Sequence, residues 1–245
     1  GALDNSKEKF NKEEIQAKLS QGIADAVEKV SKERDEYYAD NPAPSKESIE
    51  SIIQNYSNQN ALISGGAGLI PGPLGMAAAI PEIIAVMRNQ LKMAYDIGKA
   101  NGQDKITKEL LIAIVFAGTG QSAVGLLVIH GQKVMAKRVG ARALQSIIKI
   151  LGGKITQQVA KSMAAKWIPL AGAVAMATWS KYSTHKIGNK AAEILSKEIE
   201  FLDTDEETIE EALEIEEVAI ETLEDTSNEL TKLKISSFIN LMKID

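Results

Sequence analysis

The chain has 245 residues, is 44% hydrophobic but only 4% aromatic, and carries no cysteine, so it can form one large domain or two small ones without disulfides, thiolate chemistry or cysteine-ligated metals. Two histidines, His130 and His185, are too few for a histidine-rich metal site. Charge is segregated: residues 1–60 hold 8 Lys/Arg against 12 Asp/Glu, residues 61–200 hold 17 against 7, and residues 201–245 hold 3 against 14, leaving a basic middle between acidic ends.

Ile15, Leu19, Ile23, Val27 and Val30 recur at helical spacing and predict an amphipathic helix with a charged outer face. Pro42 and Pro44 end it, and Ser45 is placed to cap a second helix that has Ile49, Ile52, Ile53 and Tyr56 on one face. "GGAGLIPGPLGMAAAIPE" (65–82) follows, with no charge before Glu82. Turn formers without polar company predict a bend buried against protein or lipid, with Pro71, Gly72, Pro73 and Pro81 as its structural residues.

From Pro81 the pattern predicts a helix through Ile84, Met87, Leu91 and Ala94, closing near Gly102, with Glu82 in its first turn. Thr107 is placed to cap the next one. The twenty residues Leu110–Ile129 carry no charge and match a bilayer in length, but Gly118–Ser122 puts polar and flexible residues at their centre. A buried central helix, broken at Gly118–Gly120, is the expected form. Strict alternation is absent, so no strands are expected.

Between Gly131 and Gly152 a helix is expected to turn Leu144, Ile147, Ile148 and Leu151 inward and Arg138, Arg142 and Lys149 outward. Lys133 and Lys137 fall in phase with the apolar stripe, which calls for a change of course near Gly140 or snorkelling lysines. A further small-residue helix is interrupted at Pro169. Thr204 with Glu207, and Thr226 with Glu229, form capping boxes before two acidic amphipathic helices. The expected fold is all-α: a multi-helix domain with Gly/Pro-broken apolar hairpins in the core and amphipathic helices at both ends. It divides into N-terminal helices (1–60), a helical core (61–200) and acidic C-terminal helices docked on that core (201–245).

Chemical motifs are sparse. The glycines of 65–75 lack the G-x-x-x-x-G-K-[ST] pattern and a preceding strand, and the prolines remove donors, so a phosphate loop is not expected. Glu82, Arg88, Gln90 and His130 are a candidate polar cluster, although a helix dipole accounts for Glu82 and for His130 at the end of an apolar helix. Nothing assembles a nucleophile, a base and an oxyanion site, so no catalytic residue, cofactor or metal ligand is assigned. Arg138, Arg142, Lys149 and Lys154 are candidate contacts for an anion or lipid headgroup. The acidic C-terminal helices are an equally good partner for them. Nucleic acid is not favoured, because aromatic stacking residues are not interleaved with these cations.

"AGLIPGPLG" followed by "IPEIIAVMRNQLKMAYDIGKANG", and later "KWIPLAGAVAMATWSKYSTHKIGNKA", resemble the two signatures of the bacterial EcsC family and of the related helical domain attached to some Era-like GTPases. The resemblance covers about Ala61 to Ala192 and falls on Pro71, Gly72, Pro81, Glu82, Gln90, Gly102, Lys166, Pro169 and Gly188. It implies an all-helical, often membrane-associated bacterial protein and brings no catalytic residues with it. The leading expectation is therefore a non-enzymatic interaction or regulatory module whose partner is a membrane surface or another protein. With no signal-peptide pattern at the first residues, it is placed in the cytoplasm, at the inner face of the membrane. A pore-forming protein that refolds into a bilayer is the alternative, and a helical ligand carrier or enzyme with a pocket between helices is a third reading.

Overall fold

A computed structural model describes residues 2–64, 73–119, 125–163 and 169–203, with the side chains of 1–11, 73–76, 160–163 and 169–175 left aside. Helix α1 spans Ala2–Asp40 and ends where Pro42 forbids continuation. A single 3-10 turn over Lys46–Ser48 leads into α2, Ile49–Ile63. Ser45 stands before that turn in extended conformation, and its carbonyl, rather than its hydroxyl, takes the bond from the Ser48 amide.

Helix α3 runs unbroken from Pro73 to Ala100. Pro81 therefore neither starts this helix nor bends the chain, contrary to the sequence expectation, and Glu82 lies in the helix interior. The physical reason is where the cost falls: proline removes one donor and frees the Ala77 carbonyl, and Pro81 and Ala77 are both solvent-exposed. Pro73 occupies the first helical position, where a missing donor costs little. Pro71 and Gly72 lie outside the described residues. At the other end the amides of Gly102 and Gln103 return to the carbonyls of Lys99 and Gly98, closing the helix where the glycine predicts.

Helix α4, Lys108–Gly118, is capped by Thr107, whose hydroxyl accepts from the Leu110 amide at 3.2 Å. Its residues from Leu110 to Phe116 are all buried. The uncharged run does not continue as one helix to Ile129. Instead, Leu127–His130 forms strand β1 and Lys133–Arg138 forms β2, joined by a two-residue turn in which Gly131 takes φ +59°. Helices α5 (Ala141–Met163) and α6 (Pro169–Leu195) then cross over to β3, Glu198–Asp203. The sheet order is β1-β2-β3: β1 pairs antiparallel with β2, from Leu127 opposite Ala136 to His130 opposite Lys133, and β2 pairs parallel with β3, from Lys133 opposite Glu198 to Arg138 opposite Asp203.

The fold is thus predominantly helical, but not all-α. The alternation of Val134 and Ala136 inward with Lys133 and Lys137 outward is a period of two, and it explains why these lysines fall out of place on any helix drawn through them. Strand β3 runs across the 200/201 boundary drawn from charge. The acidic segments proposed as C-terminal helices lie outside the described residues.

Helix α3 is central, packing against α1, α2, α4 and α6, while α5 joins α1 and α6. Ile83, Val86, Met87, Leu91, Ala94 and Ile97 of α3 are fully buried among Leu19, Ile23 and Val30 of α1 and the apolar run of α4. Small residues permit the close approaches: a Cβ added at Gly118 would overlap the Ile187 side chain and come within 2.9 Å of the Ile187 Cα. Among the described residues no helix is long and apolar enough to cross a membrane.

Candidate functional site

The most elaborate polar cluster joins α1, α2 and α3 around Asp96, which is 8% exposed. Tyr38 donates its hydroxyl to Asp96 Oδ1 at 2.6 Å, Tyr56 donates to Oδ2 at 2.7 Å, and Arg34 Nη1 lies 3.4 Å from Oδ1. The neighbouring Tyr95 donates to Asp35. Arg34 and Tyr38, like Tyr95 and Lys99, are four residues apart and so share a helix face. The rings of Tyr38 and Tyr95 stack at 5.8 Å, Tyr37 meets Tyr38 edge-on at 5.0 Å, and the Lys99 ammonium lies 5.9 Å from the centroids of both Tyr38 and Tyr95.

Burial pushes the hydroxyls of Tyr38, Tyr56 and Tyr95 well above the usual tyrosine range. Hydrogen bonds and repulsion from Asp96, or from Asp35 for Tyr95, add to the effect, because ionisation would set two anions side by side. These tyrosines are donors at neutral pH. Both oxygens of Asp96 are engaged, so the cluster fastens three helices rather than presenting a free base.

A second network lies between α2, α3 and α6. Asn60 Nδ2 donates to Thr184 Oγ1 at 2.9 Å and to the Val86 carbonyl at 3.2 Å, and its Oδ1 accepts from Asn89 Nδ2 at 2.9 Å. Gln90 Nε2 reaches Thr184 Oγ1 at 3.2 Å and Ser183 Oγ at 3.1 Å, while Ser180 and Ser64 both donate to the Asn60 carbonyl. Buried amides and hydroxyls that satisfy one another in this way fix which faces of three helices meet.

Of the candidate polar cluster, only Gln90 enters this network. His130 ends β1 on the exposed hairpin beside Gly131, not at the end of a helix, so a helix dipole has no part in its placement. Glu82 Oε2 and Arg88 Nε on α3 are buried atoms without a hydrogen-bond partner. The structure does not bring the four together. Asp96 is the organising group that the candidate polar cluster leaves out; the available signal is that Tyr38, Tyr56 and Tyr95, three of the five tyrosines, sit on apolar helix faces and need acceptors for the hydroxyls that packing encloses.

Three of the four candidate anion contacts, Arg138, Arg142 and Lys149, are exposed. Arg138 ends β2, off the helix on which spacing puts it, with its guanidinium 5.5 Å from the Phe201 ring. Arg142 and Lys149 are exposed on α5, and Lys154 is half-buried on the same helix. Arg142 and Lys154 are not free; both are engaged by other groups of the chain. Lys161 and Lys166 lie among residues whose side chains are not described. Among the described residues no group of three or more His, Asp or Glu is placed to hold a metal ion. Compared with models of protein families, with characterised proteins and with solved structures, the chain gives no match.

Proposed function

We propose that this chain is an interaction module that works at an anionic membrane surface, with the cationic middle of the chain facing lipid phosphates. The observation that carries the reading is the separation of charge from structure. Residues 61–200 hold 17 Lys/Arg against 7 Asp/Glu, while Asp96, the most buried of those acids, is spent on tyrosines and Arg34 inside the helical body. Among the described residues Lys133, Arg138, Arg142, Lys149, Lys181, Lys186 and Lys190 are exposed, and an excess of surface cations raises the local concentration of any anionic surface. The resemblance of Ala61–Ala192 to the EcsC family implies the same setting. The acidic residues 204–245 belong to the proposal as an internal competitor for those cations.

Co-sedimentation of the full chain with vesicles tests the reading. Binding is expected to vesicles of phosphatidylcholine containing 30% phosphatidylglycerol in about 50 mM salt, and to weaken steeply as salt is raised to about 500 mM, since the Debye length shrinks several-fold over that interval. Equal partition to pure phosphatidylcholine, or none to either, would refute it.

A further inference from the structure

Independently of the membrane reading, we infer that the free edge of β1 pairs with β1 of a second copy of this chain, antiparallel and with the two-fold axis at Val128. The hairpin fixes which backbone groups are available. The Lys137 amide donates to the Leu126 carbonyl at 2.9 Å, in the same register that sets Val128 opposite Met135 and His130 opposite Lys133. Directly bonded pairs alternate with unbonded ones along an antiparallel ladder, so Val128 and His130 bond towards β2 while the amides and carbonyls of Leu127 and Ile129 point away from it. Strand β1 ends the sheet, and among the described residues those four groups have no ladder partner. The ends of the strand then select one register. Gly125 before it has φ +66° and Gly131 after it has φ +59°, so neither is extended. Setting Leu127 against its own copy would call on Gly125, and setting Ile129 against its own copy would call on Gly131. Leu127 against Ile129 of the second copy needs neither; by symmetry it occurs twice, engaging all four groups of each strand and placing Val128 opposite itself.

The side chains repeat this symmetry, which is why the occupant is a second copy. On the face of the sheet turned to the core, Ile129 lies beside Val134 and Leu127 beside Ala136, and the β3 neighbours of those two are Ile199 and Phe201. Across the junction Ile129 meets Leu127 of the second copy, so both rows are apolar from one outer strand to the other. Ile129, 44% exposed in the single chain, gains a cover. On the other face Val128, beside Met135, meets Val128, and the first charge in that row is Glu200 beyond Met135. The opposite edge of the sheet refuses such a union: β3 carries Glu198, Glu200 and Asp203, which a second β3 would confront with like charges, whereas β1 has no Lys, Glu, Asp or Pro. With only Leu127–Ile129 from each copy, against roughly 20–30 residues a side in a standard interface, the strand pair gives a reversible, concentration-dependent dimer.

Sedimentation equilibrium of the full chain over about a hundredfold range of concentration should show monomer and dimer in exchange. Ile129→Lys should weaken the dimer by about tenfold or more, because each flanking row then sets an ammonium against leucine. Since the chain has no cysteine, Val128→Cys carries a single thiol. In an unbonded antiparallel pair the Cα atoms stand about 4.5 Å apart, inside the disulfide range of about 4.4–6.8 Å. Mild oxidation should therefore convert this variant to a covalent dimer several-fold faster than Tyr182→Cys, an exposed position away from the sheet. Adding Ile129→Lys to Val128→Cys should remove the advantage. The cysteine comparison decides the matter even without the lysine variant. A chain that stays monomeric at every concentration, a dimer that Ile129→Lys leaves intact, or equal oxidation at positions 128 and 182 overturns the inference. None of these outcomes bears on vesicle binding, so the membrane reading stands or falls by its own assay.

Discussion

Asp96 joins three helices through two tyrosine hydroxyls and a guanidinium, and its replacement leaves those donors facing one another. Asp96→Asn is expected to lower unfolding free energy by about 2–3 kcal/mol, because it removes the charged acceptor and strands Arg34; Tyr38→Phe, which removes one donor, should cost about 1 kcal/mol. Urea denaturation checks both. The tyrosines also set an alkaline limit. Their folded pKa values are raised above the unfolded value near 10, so the stability they contribute is fully present below about pH 10 and is lost as pH rises through the folded values. Unfolding midpoints should therefore fall above pH 10, and the fall should be shallower in a Tyr38→Phe/Tyr56→Phe variant. Constancy of the midpoint from pH 9 to 11 would contradict the assignment. Asp96 itself is hard to find in the sequence because its three donors come from Arg34, Tyr38 and Tyr56, brought to it by packing and not by spacing along one helix.

Among elements, those with a sustained 3.6-residue period are legible from sequence: α1 through Ile15, Leu19 and Ile23, and α4 through its Thr107 cap. The strands are obscured for a physical reason. Strand β1 has four residues and β2 has six, with Val134 and Ala136 the only inward pair on β2, so alternation has little length in which to declare itself. The stronger signal lies in Gly131 and in lysines that no helix can place comfortably. Pro81 misleads in the opposite sense, since an exposed proline can sit inside a long helix whose other face is held by the core. The α4–α6 contact gives the sharpest test at this scale. Gly118→Ala forces a methyl into the Ile187 side chain and toward its backbone, and a loss of about 1–3 kcal/mol is expected, measurable as a lower melting temperature with unchanged helical circular dichroism at 20 °C.

For the whole molecule, charge and fold divide the chain differently. The N-terminal helix α1 belongs to the same core as α3 and α5, and β3 carries the body of the protein to Asp203. The cationic character was legible only in part: the excess of cations in 61–200 is plain in the sequence, but which of the described ones are exposed depends on how the strands, α5 and α6 pack. A chain ended after Asp203 keeps β3 whole and removes 13 of the acidic residues counted from 204 onward. If those carboxylates compete for the cations, the shortened chain should bind phosphatidylglycerol vesicles several-fold more tightly at low salt and equally at high salt. Unchanged binding at low salt would reject the competition.

Arg138 faces Asp203 in the parallel pairing of β2 with β3, and this fixes the point from which the acidic segment departs. If residues 204–245 compete for the cations, they act as a tethered ligand. Its effective concentration near the cations is set by the length of chain between anchor and target, on the order of millimolar for a short flexible connection, and does not change when the protein is diluted. The balance between the segment and a bilayer would then respond to the density of anionic lipid and to ionic strength, while the amount of protein in the compartment left it untouched.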